Sequence, residues 1–456
     1  MYGAVHQGGE EDAASDDGNA VETPLGSPVG VETAAAAARR ESATAFVPVV
    51  SSIFGVIIFM RLGFIVGVIG LLRSWAVIFV AFGITCLSIG SLSALASSRT
   101  RGERGGRIEE GDARRDRGFY AAVLGSAGEH AGPAIGGLLF LAFSVASAYY
   151  LLGFAEITAF YLGVNLKHHP LPWNEAGSWV TMVIASTTLA MLAVGSILGG
   201  CVKKSLQMAV FAVMMLSIGC NVLFLVVHNS STATGASRHF LRGNLKGHAP
   251  HLTIKMFGQF FPAFCGVLAG AHLADMLITG RSKRRTSGSM PRSSAHLIVG
   301  THKALAFSCL VYSLLSLVLA GCVENGNLRK ERFEVQLVVD SILGIPVIYL
   351  GITATTLTSA LSNVMGAASV FEWIRSPFQE DAMVEPMLYE HAPAIRLSVR
   401  GSGLAWAVSQ TAIACGSVDE IIPIVSSTFL LLFAVVNFAC FYHEIMSPTF
   451  SSSFMM

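Results

Sequence analysis

Residues 260–276 read FFPAFCGVLAGAHLADM, which places one proline and two glycines inside an apolar run long enough to cross a membrane. Proline removes a backbone N–H and crowds the preceding turn, and glycine weakens a helix. Water is absent at that depth, so each backbone group without a hydrogen bond is costly. The stretch therefore predicts an interrupted membrane helix whose unwound backbone lines a cavity or is buried in protein.

The rest of the chain has the composition of a polytopic membrane protein. Of its 456 residues, 53% are hydrophobic and 13% charged, and the mean hydropathy is +0.60. A run of about 20 apolar residues spans a hydrocarbon core of about 30 Å. Ten such runs lie near 45–72, 74–98, 134–164, 178–200, 205–227, 254–279, 297–321, 340–376, 402–416 and 420–443. The predicted fold is all-α with ten transmembrane helices.

The segments flanking the membrane helices set the predicted organisation. The predicted divisions are a disordered acidic tail at 1–43, a transmembrane core at 44–446 with five-helix halves at 44–228 and 254–446, and a short tail at 447–456. Lysine and arginine are roughly twice as frequent on the side of the first tail, which predicts a cytoplasmic N-terminus. We expect both tails to be cytoplasmic and the protein to lie in the plasma membrane or an endomembrane.

Several classes of function are excluded by composition. The net charge of +1 leaves no overall field that would attract nucleic acid. The eight cysteines show no Cys-x-x-Cys spacing and no clustering with histidine, so we expect no transition-metal site. No nucleophile with its base and no phosphate-binding loop stands at usable spacing. We therefore expect neither enzymatic activity nor a cofactor, and the lipid bilayer is the expected surrounding.

The first predicted helix carries an interruption like that in the sixth. It contains VVSSIFGVIIFMRLGFIVG at 49–67, and both helices have a Gly-Val-(Ile/Leu) step. Each helix stands first in a set of five, which is typical of inverted-repeat transporters with a substrate site near the bilayer midplane. Free N–H groups at the start of a half-helix suit an anion, and free carbonyls at the end of the other half suit a cation.

Five ordered motifs resemble one family. They are SIFGVIIFMRLGFIVGVIGL at 52–71, SAYYLLGFAEIT at 147–158, FFPAFCGVLAGAHL at 260–273, GITATTLTSALSNVMGAASVFEWI at 351–374 and IIPIVSSTFLLLFAVVNFACF at 421–441. They are similar to helices 1, 3, 6, 8 and 10 of the cation-chloride cotransporters, in the amino acid-polyamine-organocation superfamily. The resemblance implies a LeuT-like 5+5 inverted repeat with discontinuous helices 1 and 6.

The resemblance also implies where ions bind. The two chloride sites would use the backbone of Gly55, Val56 and Ile57 and that of Gly266, Val267 and Leu268. Potassium would be held by carbonyls of Ser52, Ile53 and Pro262 with the hydroxyl of Tyr150. Sodium would take carbonyls from Ser51 and Phe54 and hydroxyls from Thr358 and Ser359. The two hydroxyls suit a hard cation, although each could instead bond back to its own helix.

The chain departs from the family pattern at several places. Ser52 stands where the family usually has asparagine, and Cys265 replaces a threonine whose hydroxyl would help to hold potassium. Sulfur is a poor ligand for a hard cation. Phe433 stands where a tyrosine hydroxyl would meet the second chloride, and the sequence ends after the tenth helix, without the family's C-terminal region. We expect ion selectivity to differ from the family at these positions.

Charged residues inside apolar segments need partners, because an unpaired charge costs about 2.5 to 3.5 kcal/mol on insertion scales. Arg61 is predicted to close the outer vestibule against Asp419 or Glu420, the alternative being a purely structural ion pair. Glu156 is predicted to brace the third helix through hydrogen bonds.

Three hypotheses of function stay open. The first is a symporter that moves chloride with sodium and/or potassium by alternating access. The second is an amino acid or polyamine permease of the same superfamily, since the N–H groups of the first helix could also hold a carboxylate. The third is a non-transporting partner that regulates a full-length relative. Protein partners could accordingly be a second copy of the chain or a related transporter.

Overall fold

A computed structural model describes residues 42–102, 123–124, 127–162, 176–197, 204–231, 236–282, 293–330, 344–375 and 399–446. Across these ranges all regular secondary structure is helical. The predicted tails at 1–43 and 447–456 lie outside the described residues, except that the first helix already begins at Ser42.

Besides the helical residues Val123 and Leu124, fifteen α-helices are found in the described part of the chain. They are α1 Ser42–Ile53, α2 Val56–Met60, α3 Leu62–Ile69, α4 Leu71–Gly102, α5 Gly128–Tyr161, α6 Ala176–Ile197, α7 Lys204–Ser231, α8 Ala236–Lys246, α9 Thr253–Phe260, α10 Pro262–Ser282, α11 Ser293–Cys322, α12 Asn325–Lys330, α13 Gly344–Arg375, α14 Val399–Ala414 and α15 Val418–Met446. A short 3-10 helix, Pro250–Leu252, precedes α9.

Seven segments are long and apolar enough to cross a membrane, judged on the described residues. They are Leu71–Ala96, Ala131–Tyr161, Trp179–Ile197, Ser205–Val227, Pro250–Leu277, Leu297–Cys322 and Val418–Ile445. The other three predicted spans correspond to the divided α1–α3, to α13 and to the 16-residue α14. The all-α polytopic class is confirmed, whereas ten crossings and the 5+5 inverted repeat stay predictions.

Two segments form the centre of the molecule. The apolar windows of α5 and of α9–α10 are 78% and 83% buried, against 28% for α6 and 33% for α7. α5 packs against α6, α13, α14 and α15. α6 and α7 expose large apolar side chains such as Trp179, Met191, Leu216 and Leu223, a surface that suits lipid. A site on α5 or α10 is therefore enclosed by other helices.

The interruption predicted in the first helix is present. α1 ends at Ile53 and α2 begins at Val56, with Gly55 between them at φ −104° and ψ −129°. The Gly55 N–H donates to the Ile53 carbonyl at 3.0 Å, which turns the chain out of the helix. A Cβ at Gly55 would lie 2.6 Å from Cε1 of Tyr150. Glycine thus lets the ring of an α5 residue lie directly on the break.

The second interruption differs from the prediction. Phe261 separates α9 from α10 but has helical angles, φ −53° and ψ −37°, and its N–H donates to the Phe257 carbonyl at 2.9 Å. Gly266, Val267 and Leu268 lie inside α10. The prediction of an unwound backbone with free N–H groups there is wrong for this structure. Proline needs no N–H partner at a first helical position and its φ suits a helix start, so the helix resumes at once.

The segment that follows α8 contacts the C-terminal end of α3. The Val68 carbonyl accepts N–H groups from His248 and Ala249 at 3.0 and 2.9 Å. Gly70 and Gly247 have φ of 82° and 68°, a left-handed conformation that favours glycine. The two glycines lie so close that a side chain on either would meet the other's backbone. α3 is therefore anchored independently of α1, with the break between them.

We expect Gly270→Ala to destabilise the protein. A Cβ at this α10 position would lie 2.5 Å from Val49 Cα and 2.9 Å from the Pro48 carbonyl oxygen, so backbone has to move. Overpacking of this kind costs about 1 to 3 kcal/mol, which should lower the thermal midpoint of the detergent-purified protein. Gly258→Ala is the matched control, because that glycine faces open space. Equal midpoints for the two variants would contradict the packing described.

Candidate ion-binding site

The carbonyl end of α1 is met by two tyrosines. The Tyr150 hydroxyl, on α5, donates to the Ser52 carbonyl at 2.9 Å. The Tyr312 hydroxyl, on α11, donates to the Ile53 carbonyl at 3.1 Å. Tyr150 was predicted from the sequence to act together with Ser52, but Tyr312 was missed. Its only signal is that α11 contains a single tyrosine, and nothing local connects that residue with a break 259 positions earlier.

The start of α2 presents backbone N–H groups close to those carbonyls. Gly55 is the residue that precedes the helix, and no side chain of the described residues caps it. The first N–H groups of a helix have no carbonyl one turn earlier to bond. Gly55, Val56 and Ile57 are all buried. The break thus places backbone donors and acceptors within a few residues of each other, away from water.

The predicted sodium ligands divide into two kinds. The Thr358 hydroxyl donates to the Ala354 carbonyl of its own helix at 2.7 Å, which is the alternative anticipated for it. The Ser359 hydroxyl is buried and has no hydrogen-bond partner among the described residues, and the same is true of the Ser51 and Ser52 hydroxyls. α13, which carries Ser359, packs against α2 and α10. Ser359 therefore keeps a hydroxyl oxygen available beside the interrupted helix.

Gly266 brings α10 to the break. A Cβ at this position would collide with the Ser52 carbonyl and would lie 2.8 Å from the Tyr150 hydroxyl. In a regular helix the Gly266 N–H is directed at the carbonyl four residues earlier, which belongs to Pro262. Val267 and Leu268 are buried beside them. The structure thus places Gly266 next to Ser52 and Tyr150, while Pro262 begins the helix that carries it.

Aromatic side chains pack together at the junction of α9 and α10. The rings of Phe261 and Phe433 are 6.0 Å apart in an edge-on arrangement, so Phe433 faces this stretch as predicted. The Cys265 thiol donates to the Phe261 carbonyl at 3.5 Å. The position at which the resemblance calls for a hydroxyl near the second chloride is therefore apolar, and the Cys265 side chain is directed at its own helix.

Charged side chains gather at the junction of α2 and α3. Arg61 is only 3% exposed, and its Nη2 lies 3.0 Å from Asp419 Oδ1 and 3.7 Å from Glu156 Oε2. Glu156 Oε1 also accepts the Val418 N–H at 3.0 Å, where a carboxylate favours the start of α15. The pairing of Arg61 with Asp419 was predicted, but Glu156 was missed as its second partner.

The other predicted partner of Arg61 has a different role. Glu420 Oε2 accepts the N–H of Ser417 at 3.0 Å and so caps the beginning of its own helix. Glu156 joins α5 to α15 through its bond with Val418, which agrees with the predicted bracing role.

Comparison with known proteins finds relatives whose sequences align with most of this chain. No model of a known protein family matches it. Vacuolar cation-chloride cotransporter 1 of Saccharomyces cerevisiae is 26% identical over 437 residues, 90% of this chain and 35% of that protein. Solute carrier family 12 member 9 of Danio rerio is 25% identical over 446 residues, 90% of this chain and 45% of the relative. Solute carrier family 12 member 2 of Homo sapiens is 25% identical over 443 residues, 86% of this chain and 33% of the relative.

The long apolar helices and the buried interrupted helix define a multi-pass membrane protein. Among such proteins, the chain is similar, at 25% to 26% identity, to a cation-chloride cotransporter and to members of solute carrier family 12. It spans between 33% and 45% of the length of these relatives. These relatives are named as a cotransporter and as solute carriers, and none of the three names is that of an enzyme.

Glu156→Gln should destabilise the folded protein. The amide keeps an oxygen for the Val418 N–H but removes one negative charge from buried Arg61, which retains Asp419. Weakening a charged hydrogen-bonded group in this way costs about 1 to 3 kcal/mol. The thermal midpoint in detergent should fall, whereas Glu420→Gln, at an exposed position, should leave it nearly unchanged. A midpoint for Glu156→Gln equal to that of wild type would show that Asp419 alone satisfies Arg61.

Proposed function

We propose that this protein is a secondary active symporter that moves chloride together with sodium and/or potassium by alternating access. The observation that carries the proposal is the buried break in the first helix. It sets the carbonyls of Ser52 and Ile53, which suit a cation, beside the N–H groups of Val56 and Ile57, which suit an anion. The name of the yeast relative, a cation-chloride cotransporter, supports the same two kinds of ion.

We assign the cations to oxygen atoms around this break. For potassium the proposed ligands are the carbonyls of Ser52, Ile53 and Pro262 and the hydroxyl of Tyr150. For sodium they are the carbonyls of Ser51 and Phe54 and the hydroxyls of Thr358 and Ser359. Hard cations prefer oxygen ligands. The contact of Tyr150 with Ser52 and the unpartnered hydroxyl of Ser359 support these two sites.

Chloride is assigned first to the backbone of Gly55, Val56 and Ile57. The second proposed position, Gly266, Val267 and Leu268, has weaker support, because these residues lie inside α10. Chloride at that position requires the first turns of α10 to release their N–H groups. The two chloride sites are therefore expected to differ in affinity.

All the proposed cation ligands are neutral oxygens, so a bound cation is not compensated by a carboxylate of the site. A chloride ion nearby lowers the electrostatic cost of that cation in a medium of low dielectric constant, and the cation does the same for chloride. We therefore expect cation and chloride to load cooperatively.

We further propose that Arg61 closes the outer end of the pathway. Its ion pairs with Asp419 and Glu156 join the junction of α2 and α3 to α15 and α5. This assignment uses the proposed orientation with a cytoplasmic N-terminus. The protein would lie in the plasma membrane or an endomembrane, and the vacuolar name of the yeast relative supports the latter.

Uptake of radioactive chloride into proteoliposomes that contain the full chain tests the proposed coupling. External sodium and potassium are replaced by N-methyl-D-glucamine, separately and together, with protein-free liposomes as the control. Replacing both cations together should reduce chloride uptake by about 5-fold to 100-fold, which is the fold-change that ordinary coupling free energies between two binding sites produce. Replacing sodium or potassium alone identifies which cation is coupled to chloride. Chloride uptake that persists unchanged without either cation would reject the coupling. Inhibition of chloride uptake by an amino acid or polyamine would favour the permease alternative.

The gate is tested with Arg61→Gln and Asp419→Asn in the same liposomes. Either change weakens a contact made in the closed form, so the open and closed populations shift and chloride flux should fall by about tenfold. Flux is normalised to monodisperse protein, and Glu420→Gln serves as the control. Wild-type flux in the Arg61→Gln protein would leave the ion pair with a structural role only.

A further inference from the structure

We propose that Tyr312 is an additional cation ligand of this site, and that its hydroxyl supplies the oxygen that Cys265 lacks. The inference rests on the proposed function, because it concerns the potassium site at the break. It adds a residue from α11, a helix to which the resemblance assigns no ligand.

The position of the Tyr312 hydroxyl is the first support. It lies 3.1 Å from the Ile53 carbonyl oxygen, and the Tyr150 hydroxyl lies 2.9 Å from the Ser52 carbonyl oxygen. Ser52 and Ile53 are consecutive, so two phenols on different helices meet the same end of α1. Tyr150 is assigned to the cation site together with the Ser52 carbonyl that it contacts. Tyr312 contacts the next carbonyl, that of Ile53, and so occupies an equivalent position.

The ring of Tyr312 holds its oxygen in place. The residue is fully buried, and its ring lies 5.6 Å from that of Phe54, 5.2 Å from Phe260 and 5.8 Å from Phe264. A phenolic hydroxyl can both donate and accept. Without a cation it donates to the Ile53 carbonyl. When a cation is bound, rotation about the C–O bond turns the proton away and leaves both oxygens to face the ion.

A second tyrosine oxygen lies in the same region. Tyr149 is buried beside Tyr150, with ring centroids 5.2 Å apart, and its hydroxyl has no hydrogen-bond partner among the described residues. A buried hydroxyl without a partner is unfavourable, so a contact with a bound ion or its water would stabilise Tyr149.

The chemistry of these donors favours potassium over a divalent ion. All of them are neutral oxygens, whereas a divalent cation is usually held by one or more carboxylates. The Cys265 thiol bonds to the Phe261 carbonyl at 3.5 Å, and sulfur is in any case too soft for this ion. Tyr312 therefore restores the number of hard donors at the site.

The experiment measures the potassium dependence of chloride uptake in the reconstituted full chain, at constant chloride and ionic strength. The variants are Tyr312→Phe, Cys265→Thr and the double variant. The matched control is Tyr349→Phe. It removes a hydroxyl of α13 that lies 3.3 Å from the hydroxyl of Thr158, a residue of α5 two turns after Tyr150.

Tyr312→Phe should raise the half-saturating potassium concentration about tenfold, the effect of losing one ligand worth about 1.4 kcal/mol. Tyr349→Phe should leave it unchanged. Cys265→Thr should restore the Tyr312→Phe protein to within about threefold of wild type.

Phenylalanine keeps the ring packing of Tyr312. Folding of each variant is checked separately, by the elution profile of the purified protein and by its thermal midpoint without potassium. A folded Tyr312→Phe protein with wild-type potassium dependence would overturn the inference while leaving the proposed function intact. A double variant that is not rescued would reject the compensation for Cys265. Wild-type chloride uptake without any potassium dependence would instead remove the potassium site, and with it this inference.

Discussion

The carbonyl groups of Ser52 and Ile53 are the groups around which the central helices are arranged. Because Gly55 interrupts the first helix, these carbonyls lack the N–H partners one turn later that a continuous helix would provide, although the Ile53 carbonyl accepts the Gly55 N–H. Inside an apolar interior that loss is costly unless another group satisfies them. Tyr150 and Tyr312 donate to them and thereby tie α1 to α5 and α11. One backbone irregularity thus fixes the relative placement of three helices.

Close approach by glycine makes this arrangement possible. Gly55 admits the Tyr150 ring, Gly266 admits the Ser52 carbonyl, and Gly270 admits the backbone of Val49. Small residues let helix backbones pack closely where burial of apolar surface gives no preference for protein over lipid. In this protein Gly55 and Gly266 also begin the two Gly-Val-(Ile/Leu) steps. Their packing role is therefore observed directly, and it is compatible with the proposed ion-binding role of the neighbouring backbone.

α5 connects the interrupted helix with the charged cluster. Tyr149, Gly153 and Glu156 follow one another at spacings of four and three residues, so they lie on one face of this helix. Gly153 receives the side chain of Val56, and Glu156 pairs with Arg61. A rotation or shift of α5 relative to the first helix would change the surroundings of the break and the ion pairs together. This gives the proposed gate a direct mechanical relation to the proposed site.

The sequence by itself determined the membrane class, the break at Gly55 and the need of Arg61 for an acidic partner. These follow from local composition, from the poor helix propensity of glycine and from the cost of a buried charge. Only the tertiary structure decided that Tyr312 and Glu156 complete the two clusters, because contacts across such sequence separations depend on how the helices pack. It also decided that the helix resumes directly at Pro262, and that Thr358 bonds to its own helix while Ser359 does not. Propensity is a weak local preference, and the packing of neighbouring helices determines whether a helix unwinds and where each hydroxyl finds its partner.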